Sequence, residues 1–286
     1  MTLLQTLLFA PANHPRKVQK ALNLEVDAII IDLEDACAIE EKEKSRPSVV
    51  KALQLPRTPK AYVRVNPIST PYFFGDINAV VIPNLDGIIL PKVETAEDLT
   101  IADWIISSLE KELNLPYQSI DVIPIIETAK GVSNLKSILK NKKRVNRIAF
   151  GAGDFTNDLG IEWNKSSNEL LYTKSKIVIE SRTAKLDPPI DTVYVDLGDQ
   201  EGLKEETEAA KKLGFQGKLL IHPQQIEIVK TIINPGEDEI KKAEEIIEAF
   251  EEAEKNGSSS IRVGDQFVDY PVVYNARKIL SLAKNK

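Results

Sequence analysis

The chain repeats one pattern eight times: a short continuous apolar run, then a longer segment in which apolar and charged residues recur at helical spacing. Runs without polar alternation suit strands covered on both faces, and strands alternating with amphipathic helices imply parallel βαβ units. The strands fall at residues 7–9, 28–32, 61–65, 87–90, 122–126, 147–150, 192–195 and 218–221. Helical spacing follows at 14–24, 40–54, 96–113, 132–140, 168–185, 201–213 and 224–233, while the third crossover, near 72–82, is short and poorly defined. Breakers stand where elements should stop, at Pro91, Gly131, the Gly214-Phe215-Gln216-Gly217 turn and Pro223. Eight such units predict a closed (β/α)8 TIM barrel, a fold that often reaches about 250 residues as one domain.

No repeat, low-complexity tract or interior linker divides the first 235 residues, so 1–235 is read as one barrel domain. Residues 236–286 form a helical and loop extension: a charged helix at 237–255, a flexible Gly/Ser stretch at 256–260, a loop or hairpin at 262–269 and a last helix at 271–283. This extension reads as an appendage to the barrel and not obviously as a second core.

Composition narrows the function classes. Acidic residues outnumber basic ones, 43 to 37, for a formal net charge of −6, which argues against a general nucleic-acid binder. Cys37 is the single cysteine, so an intrachain disulfide is impossible and a reducing cytoplasm is the natural setting. The opening run, residues 1–9, lacks a basic stretch and a small-residue cleavage pattern, and reads as a strand and not as a secretory signal. No apolar stretch approaches the roughly 20 residues of a membrane span.

Polar residues recur where the strands end. The second strand ends in Asp32-Leu33-Glu34-Asp35, the third in Arg64-Val65-Asn66-Pro67, and the fourth in Pro91-Lys92. The fifth ends in Glu127-Thr128, and the sixth in Gly151-Ala152-Gly153-Asp154. One charge after a strand only marks arrival at the surface. Five in succession converge on the C-terminal mouth of a barrel, where barrel active sites are built. Hard divalent cations such as Mg²⁺ take carboxylate oxygens, often one or two from protein, which makes Glu127 and Asp154 the candidate metal pair. Each has a bland alternative, Glu127 as a charge at a helix N-terminus and Asp154 as a helix cap. With two histidines in the chain a His-rich zinc site is impossible. Arg64 is the candidate for a substrate carboxylate, because its planar guanidinium binds one through two parallel hydrogen bonds. Its alternative is a buried pair with Asp32 or Glu34. Asp32, Glu34 and Asp35 exceed what one Mg²⁺ needs, so at least one orients Arg64 or a metal-bound water.

These stretches resemble the HpcH/HpaI aldolase/citrate lyase family, in its citrate lyase β-subunit-like branch. The likeness is carried by Leu8-Phe9-Ala10-Pro11, the Asp32, Arg64 and Lys92 stretches, Ile126-Glu127-Thr128-Ala129, Phe150 to Asp154, and Asp158-Leu159-Gly160. It continues through Gly214 to Lys218, Ile221-His222-Pro223-Gln224-Gln225, Val268-Asp269 and Ala276-Arg277, in order along nearly the whole chain. The resemblance implies Mg²⁺ held at Glu127 and Asp154, and carboxylate binding by Arg64. It also implies a homotrimer or a hexamer made from trimers. Asp269 enters only through it, as a catalytic proton carrier reaching a neighbouring subunit's site. Bare sequence reads that residue as an exposed loop acid. The implied reaction cleaves a 3-hydroxyacyl-CoA thioester (citryl-, malyl- or citramalyl-CoA) to acetyl-CoA and a 2-keto acid.

Two departures stand out. Where the family has Arg-Ser before the first strand, this chain has Gln5-Thr6, which should remove a cation near the mouth. Its Gly-Ala-Glu-Asp turn is Gly151-Ala152-Gly153-Asp154 here, one carboxylate fewer beside the metal pair. Three rival readings remain: a metal-dependent aldolase that does not use CoA, a metal-free aldolase with Lys92 as Schiff-base nucleophile, and a non-catalytic acyl-CoA-binding relative. A Schiff-base Lys92 would need a setting that lowers its pKa.

Overall fold

The computed structural model describes residues 4–140 and 142–283, so the first three residues of the opening apolar run and the last three of the extension lie outside the described residues. Eight parallel strands close into a barrel: β1 (Thr6–Pro11), β2 (Ala28–Asp32), β3 (Lys60–Arg64), β4 (Gly87–Leu90), β5 (Asp121–Ile126), β6 (Ala149–Phe150), β7 (Ile190–Asp191) and β8 (Gly217–Leu220). Closure is made by β1 against β8, with Leu7 opposite Leu219. The crossovers carry α1 (Pro15–Ala21), α2 (Lys42–Leu53), α3 (Phe73–Val80), α4 (Ala96–Glu112), α5 (Ala129–Lys140), α6 (Ala152–Leu159), α7 (Leu171–Thr183), α8 (Gln200–Leu213) and α9 (Gln225–Ile233).

Alternate strand residues fill the barrel interior. Leu7, Ile30, Tyr62, Ile89, Ile125, Ile190 and Leu219 form one buried cluster, each removed from water to the extent that stabilises a fold by roughly 1.5–3 kcal/mol. Tyr62 is the largest plug, and it dictates Gly87 opposite: a Cβ at 87 would lie 2.3 Å from the Tyr62 ring. The outward-facing residues of β7 and β8 are charged and yet buried. Lys218 reaches Asp191 at 2.8 Å and Glu206 of α8 at 2.6 Å, and Lys174 of α7 stands 2.9 Å from Asp191 Oδ1 without hydrogen-bond alignment.

The structure corrects three sequence expectations here. The seventh strand is Ile190–Asp191 and not residues 192–195. Alternation in Thr192-Val193-Tyr194-Val195 mimics a strand, whereas Asp191 looks like a loop acid until Lys218 and Lys174 are seen to neutralise it. Helix α6 was not expected; two glycines lie at its start, and Gly160 ends it in the left-handed region at φ 65°. The third crossover does hold a helix, α3, whose buried Asp76 accepts from Arg46 Nε at 2.8 Å.

The chain divides into two compact units, with the boundary between Val229 and Lys230 inside α9. The C-terminal unit contains α10 (Glu237–Lys255), an antiparallel hairpin of β9 (Ser260–Val263) and β10 (Gln266–Asp269), and α11 (Tyr270–Ala283). It has an apolar cluster of its own, built on Ala243, Ile246, Phe250, Val268, Val273 and Ala276, with Tyr270 edge-on to Phe250 at 5.1 Å. Residues 256–260 are not a loose joint. Asn256, Gly257 and Ser258 donate their N–H groups back to the end of α10, and the Ser258 hydroxyl bonds Ser260 O at 2.7 Å.

Candidate active site

Because all eight strands point the same way, their C-terminal ends bring Asp32, Arg64, Glu127 and the start of α6 to one mouth. A cavity of about 440 Å³ opens there, lined by Phe9, Asp32, Arg64, Glu127, Asp154 and Thr192 among others.

Arg64 is held from three sides. Its Nε and Nη2 donate to the two oxygens of Asp32 at 2.7 and 2.6 Å, the bidentate geometry only arginine makes. Its Nη1 forms an ion pair with Glu34 at 2.9 Å, although that Glu34 oxygen lies outside hydrogen-bond alignment. Its guanidinium carbon lies 4.6 Å from the Phe9 ring centre. Burial works against its charge, but Asp32, then Glu34 and Glu127, hold it more firmly protonated than usual. Asp32 also accepts from Glu34 N and Ala36 N, so this acid organises the whole loop after β2. Asp35, 58% exposed, stands 3.7 Å from Arg64 Nη1.

Glu127 is buried at the end of β5 and has no cation bonded to its carboxylate among the described residues. Its Oε1 accepts from the Lys92 backbone N–H at 2.8 Å, and its Oε2 packs against Gly151. Burial pushes its carboxyl up to about 8, reinforced by the charges of Glu34 and Asp154 and opposed by Arg64. Glu34 is likewise raised by burial, with Arg64 opposing.

Lys92 connects the acids. Its backbone is left-handed at φ 50°, a conformation rare outside glycine and characteristic of strained functional loops. That bend aims its N–H at Glu127, while its ammonium bonds Glu34 at 2.8 Å and pairs with Asp154 at 3.2 Å. Burial opposes its charge, but Glu34, Asp35 and Asp154 outweigh it and raise its pKa. A Schiff-base lysine needs the reverse, so this geometry disfavours the Lys92 reading.

Among the described residues, the carboxylates whose oxygens lie within 4.8 Å of one another are Glu34, Asp35 and Asp154. Glu127 lies outside this triad, linked to it through Lys92. Asp269 belongs to the C-terminal unit, on β10, where its carboxylate accepts from Val272 N at 3.4 Å. The expectation that Gln5 leaves the mouth one cation short is overturned. Gln5 precedes β1 at the N-terminal end of the barrel, where its N–H donates to Asp27 at 2.9 Å, so the departure sits on the opposite rim. Gly153 does line the mouth, and a Cβ there would meet only the Trp163 ring, at 3.9 Å. Sequence reasoning missed Phe9 under Arg64, Gly151 against Glu127, and Thr192. Only the glycine carried a local signal, as a breaker directly after a strand.

Residues 5–223 match the family model described as HpcH/HpaI aldolase/citrate lyase. The chain is 38% identical over 283 residues to citrate lyase subunit beta of Leuconostoc mesenteroides subsp. cremoris, covering 98% of this chain and 93% of that one. It is 31% identical over 296 residues to the mitochondrial citramalyl-CoA lyase of Rattus norvegicus, covering 98% and 86%. A Mycobacterium tuberculosis protein named CitE, solved with magnesium, acetoacetate and coenzyme A, matches the fold with a TM-score of 0.80 at 26% identity, over 99% of this chain and 98% of that one.

Proposed function

Because the chain belongs to the HpcH/HpaI aldolase/citrate lyase family, we propose that it is a Mg²⁺-dependent carbon–carbon lyase that cleaves a 3-hydroxyacyl-CoA thioester to acetyl-CoA and a 2-keto acid. Citryl-CoA, malyl-CoA and citramalyl-CoA are the candidate substrates. Relatives named citrate lyase subunit beta and citramalyl-CoA lyase support the reaction class, and the ligands of the CitE structure support magnesium and coenzyme A. The observation in this chain that carries the reading is Glu127, a buried carboxylate with no cation bonded to it among the described residues, at the edge of a cavity rich in acids.

The donors fit a hard divalent ion, being carboxylate oxygens only, with Glu127 and Asp154 as the proposed ligands. Bound there, Mg²⁺ would supply Lewis acidity at the substrate's hydroxyl and carboxylate oxygens. Arg64, fixed by Asp32 and Glu34 over the Phe9 ring, would orient the carboxylate that leaves in the keto acid. In the reaction the hydroxyl loses its proton and becomes the keto carbonyl. The carbon–carbon bonding pair passes to the thioester enolate, and the enolate takes up a proton to give acetyl-CoA. Asp269 is proposed to deliver that proton, across the subunit boundary of a homotrimer or a hexamer made from trimers. A cytoplasmic setting suits the free, buried Cys37.

Incubation with each of the three thioesters, followed by detection of acetyl-CoA, tests the reading. One of them is expected to turn over, to stop in EDTA and to resume with Mg²⁺ or Mn²⁺. Full turnover in excess EDTA would remove the metal from the mechanism, and cleavage of a free hydroxy-keto acid alone would favour the aldolase without CoA.

The role of Asp269 has its own test, since a cyclic oligomer repeats a head-to-tail contact at every site. Glu127→Gln and Asp269→Asn should each be inactive alone. Co-expressed as mixed oligomers they should regain part of the activity, at sites pairing an intact Glu127 with a neighbour's intact Asp269. No recovery in demonstrably mixed oligomers would return Asp269 to its own subunit or remove it from catalysis.

A further inference from the structure

Helix α6 carries Asp154 in its first turn, yet it begins without a side-chain cap of its own. Position 151 admits only glycine, because a Cβ there would lie 2.3 Å from Glu127 Oε2 and 2.7 Å from Glu127 Cβ. Gly151 is also the N-cap of α6, so the residue that would normally offer an oxygen to the unpaired N–H groups of the first turn has none to offer. The close packing of Glu127 therefore removes the local cap. The acceptor comes from another part of the barrel: Ala152 N–H donates to Thr192 Oγ1 at 2.9 Å, between two buried residues. Thr192 follows β7 directly and lines the same cavity as Glu127 and Asp154. Further along the helix, Asp158 accepts from Ala129 N at 2.8 Å, tying α6 to the segment just after Glu127. The Asp154 carboxylate thus stands between two tethers.

We propose that Thr192 is a positioning residue for the metal ligand Asp154, its hydroxyl oxygen fixing the start of α6 so that the carboxylate stands where the cation binds. The proposal rests on the reading of Asp154 as a ligand and adds a group that this reading does not contain. Replacing the hydroxyl by a methyl of the same size leaves the Ala152 N–H buried without an acceptor, so the helix start must move to satisfy it.

Direct titration with Mn²⁺, followed by electron paramagnetic resonance of the free ion at a temperature well below unfolding, tests this without any assay of turnover. Thr192→Val is expected to bind Mn²⁺ about tenfold more weakly, the lower end of what losing a group that orients a metal ligand costs. Thr192→Ser keeps the oxygen and should bind within about twofold of wild type, by the same reasoning. Asp154→Asn separates the two levels of the argument. If it binds Mn²⁺ as tightly as wild type, the ligand reading itself falls. If it loses binding while Thr192→Val matches wild type, only the role of Thr192 falls. Should Thr192→Val fail to fold, Thr192→Ala carries the same expectation. Hydrogen exchange at the Ala152 amide of wild-type protein gives an independent check, since it should slow on adding Mg²⁺. An unchanged rate would overturn the coupling.

Discussion

In the metal-free protein, Glu127→Gln is expected to flatten the fall in stability between pH 5 and pH 8. The sign follows from the raised carboxyl. The fold holds a proton on Glu127 up to about pH 8, whereas the unfolded chain releases it near the ordinary 4.5. Between those values the folded state binds more protons, so wild-type stability declines as pH rises and levels off above about 8. The full cost of ionising this group in place is at most about 5 kcal/mol, at about 1.36 kcal/mol per pH unit. A neutral glutamine has nothing to titrate, so its denaturation midpoint should fall less steeply through that window, keeping only the slope that Glu34 and Asp121, also raised by burial, contribute. The same substitution should lower metal-dependent kcat/KM by roughly a thousandfold, the equivalent of about 4 kcal/mol of Lewis-acid stabilisation. Denaturant melts at half-unit pH intervals decide the first point, and equal slopes for mutant and wild type would show that the Glu127 environment is not as described. A gain in stability combined with a loss of function is what a buried functional acid predicts, and a structural one would give the opposite.

Lys218→Met should have the largest effect on stability alone, a loss of about 3–5 kcal/mol, because removing one partner of a buried pair strands the others. Lys218 is 1% exposed and bonds Asp191 and Glu206, so among the described residues its loss leaves Glu206 with only the Ser167 hydroxyl and Asp191 with only Lys174. Burial tends to raise Asp191, but Lys218 and Lys174 prevail and hold it below its ordinary 3.8. Burial tends to lower Lys218, but Asp191 and Glu206 prevail and hold it above 10.5. The contribution of the lowered acid is present above about pH 4 and lost as pH falls through its folded value. That of the raised lysine is present below about pH 10 and lost above its folded value. The penalty should therefore be nearly constant between those limits, unlike the sloping Glu127 effect. Glu206→Gln in the same chain should recover part of the loss, since Glu206 is the acid left without a cation, whereas Asp191 still faces Lys174. A loss below about 1 kcal/mol would place this network with solvated surface pairs.

The two residues also show how unevenly the chain could be read in advance. Glu127 was legible because it follows an uninterrupted apolar run, and a charge in that position of a parallel barrel has one place to go. Lys218 was not, because a lysine inside an apolar run looks like an interruption until two acids from other elements are brought against it. Asp191 suffered the same way, and its charge displaced the predicted seventh strand by two residues.

The sequence alone determined what is periodic and local. Apolar runs and amphipathic segments specified eight βα units, and the shared direction of their strands made Asp32, Arg64, Glu127 and Asp154 neighbours before any contact was known. Only the tertiary structure decided which neighbour each would bond. Arg64 lies beside Asp32 through the β2–β3 register, and Lys92 reaches three acids from a left-handed turn. Ala152 finds its cap forty residues away in Thr192. The hairpin acid Asp269 lies in a C-terminal unit whose apolar cluster draws on one face of α10 and one of α11. Periodicity is written into neighbouring residues, whereas the partner of a buried charge depends on strand register and loop geometry between segments far apart in the chain.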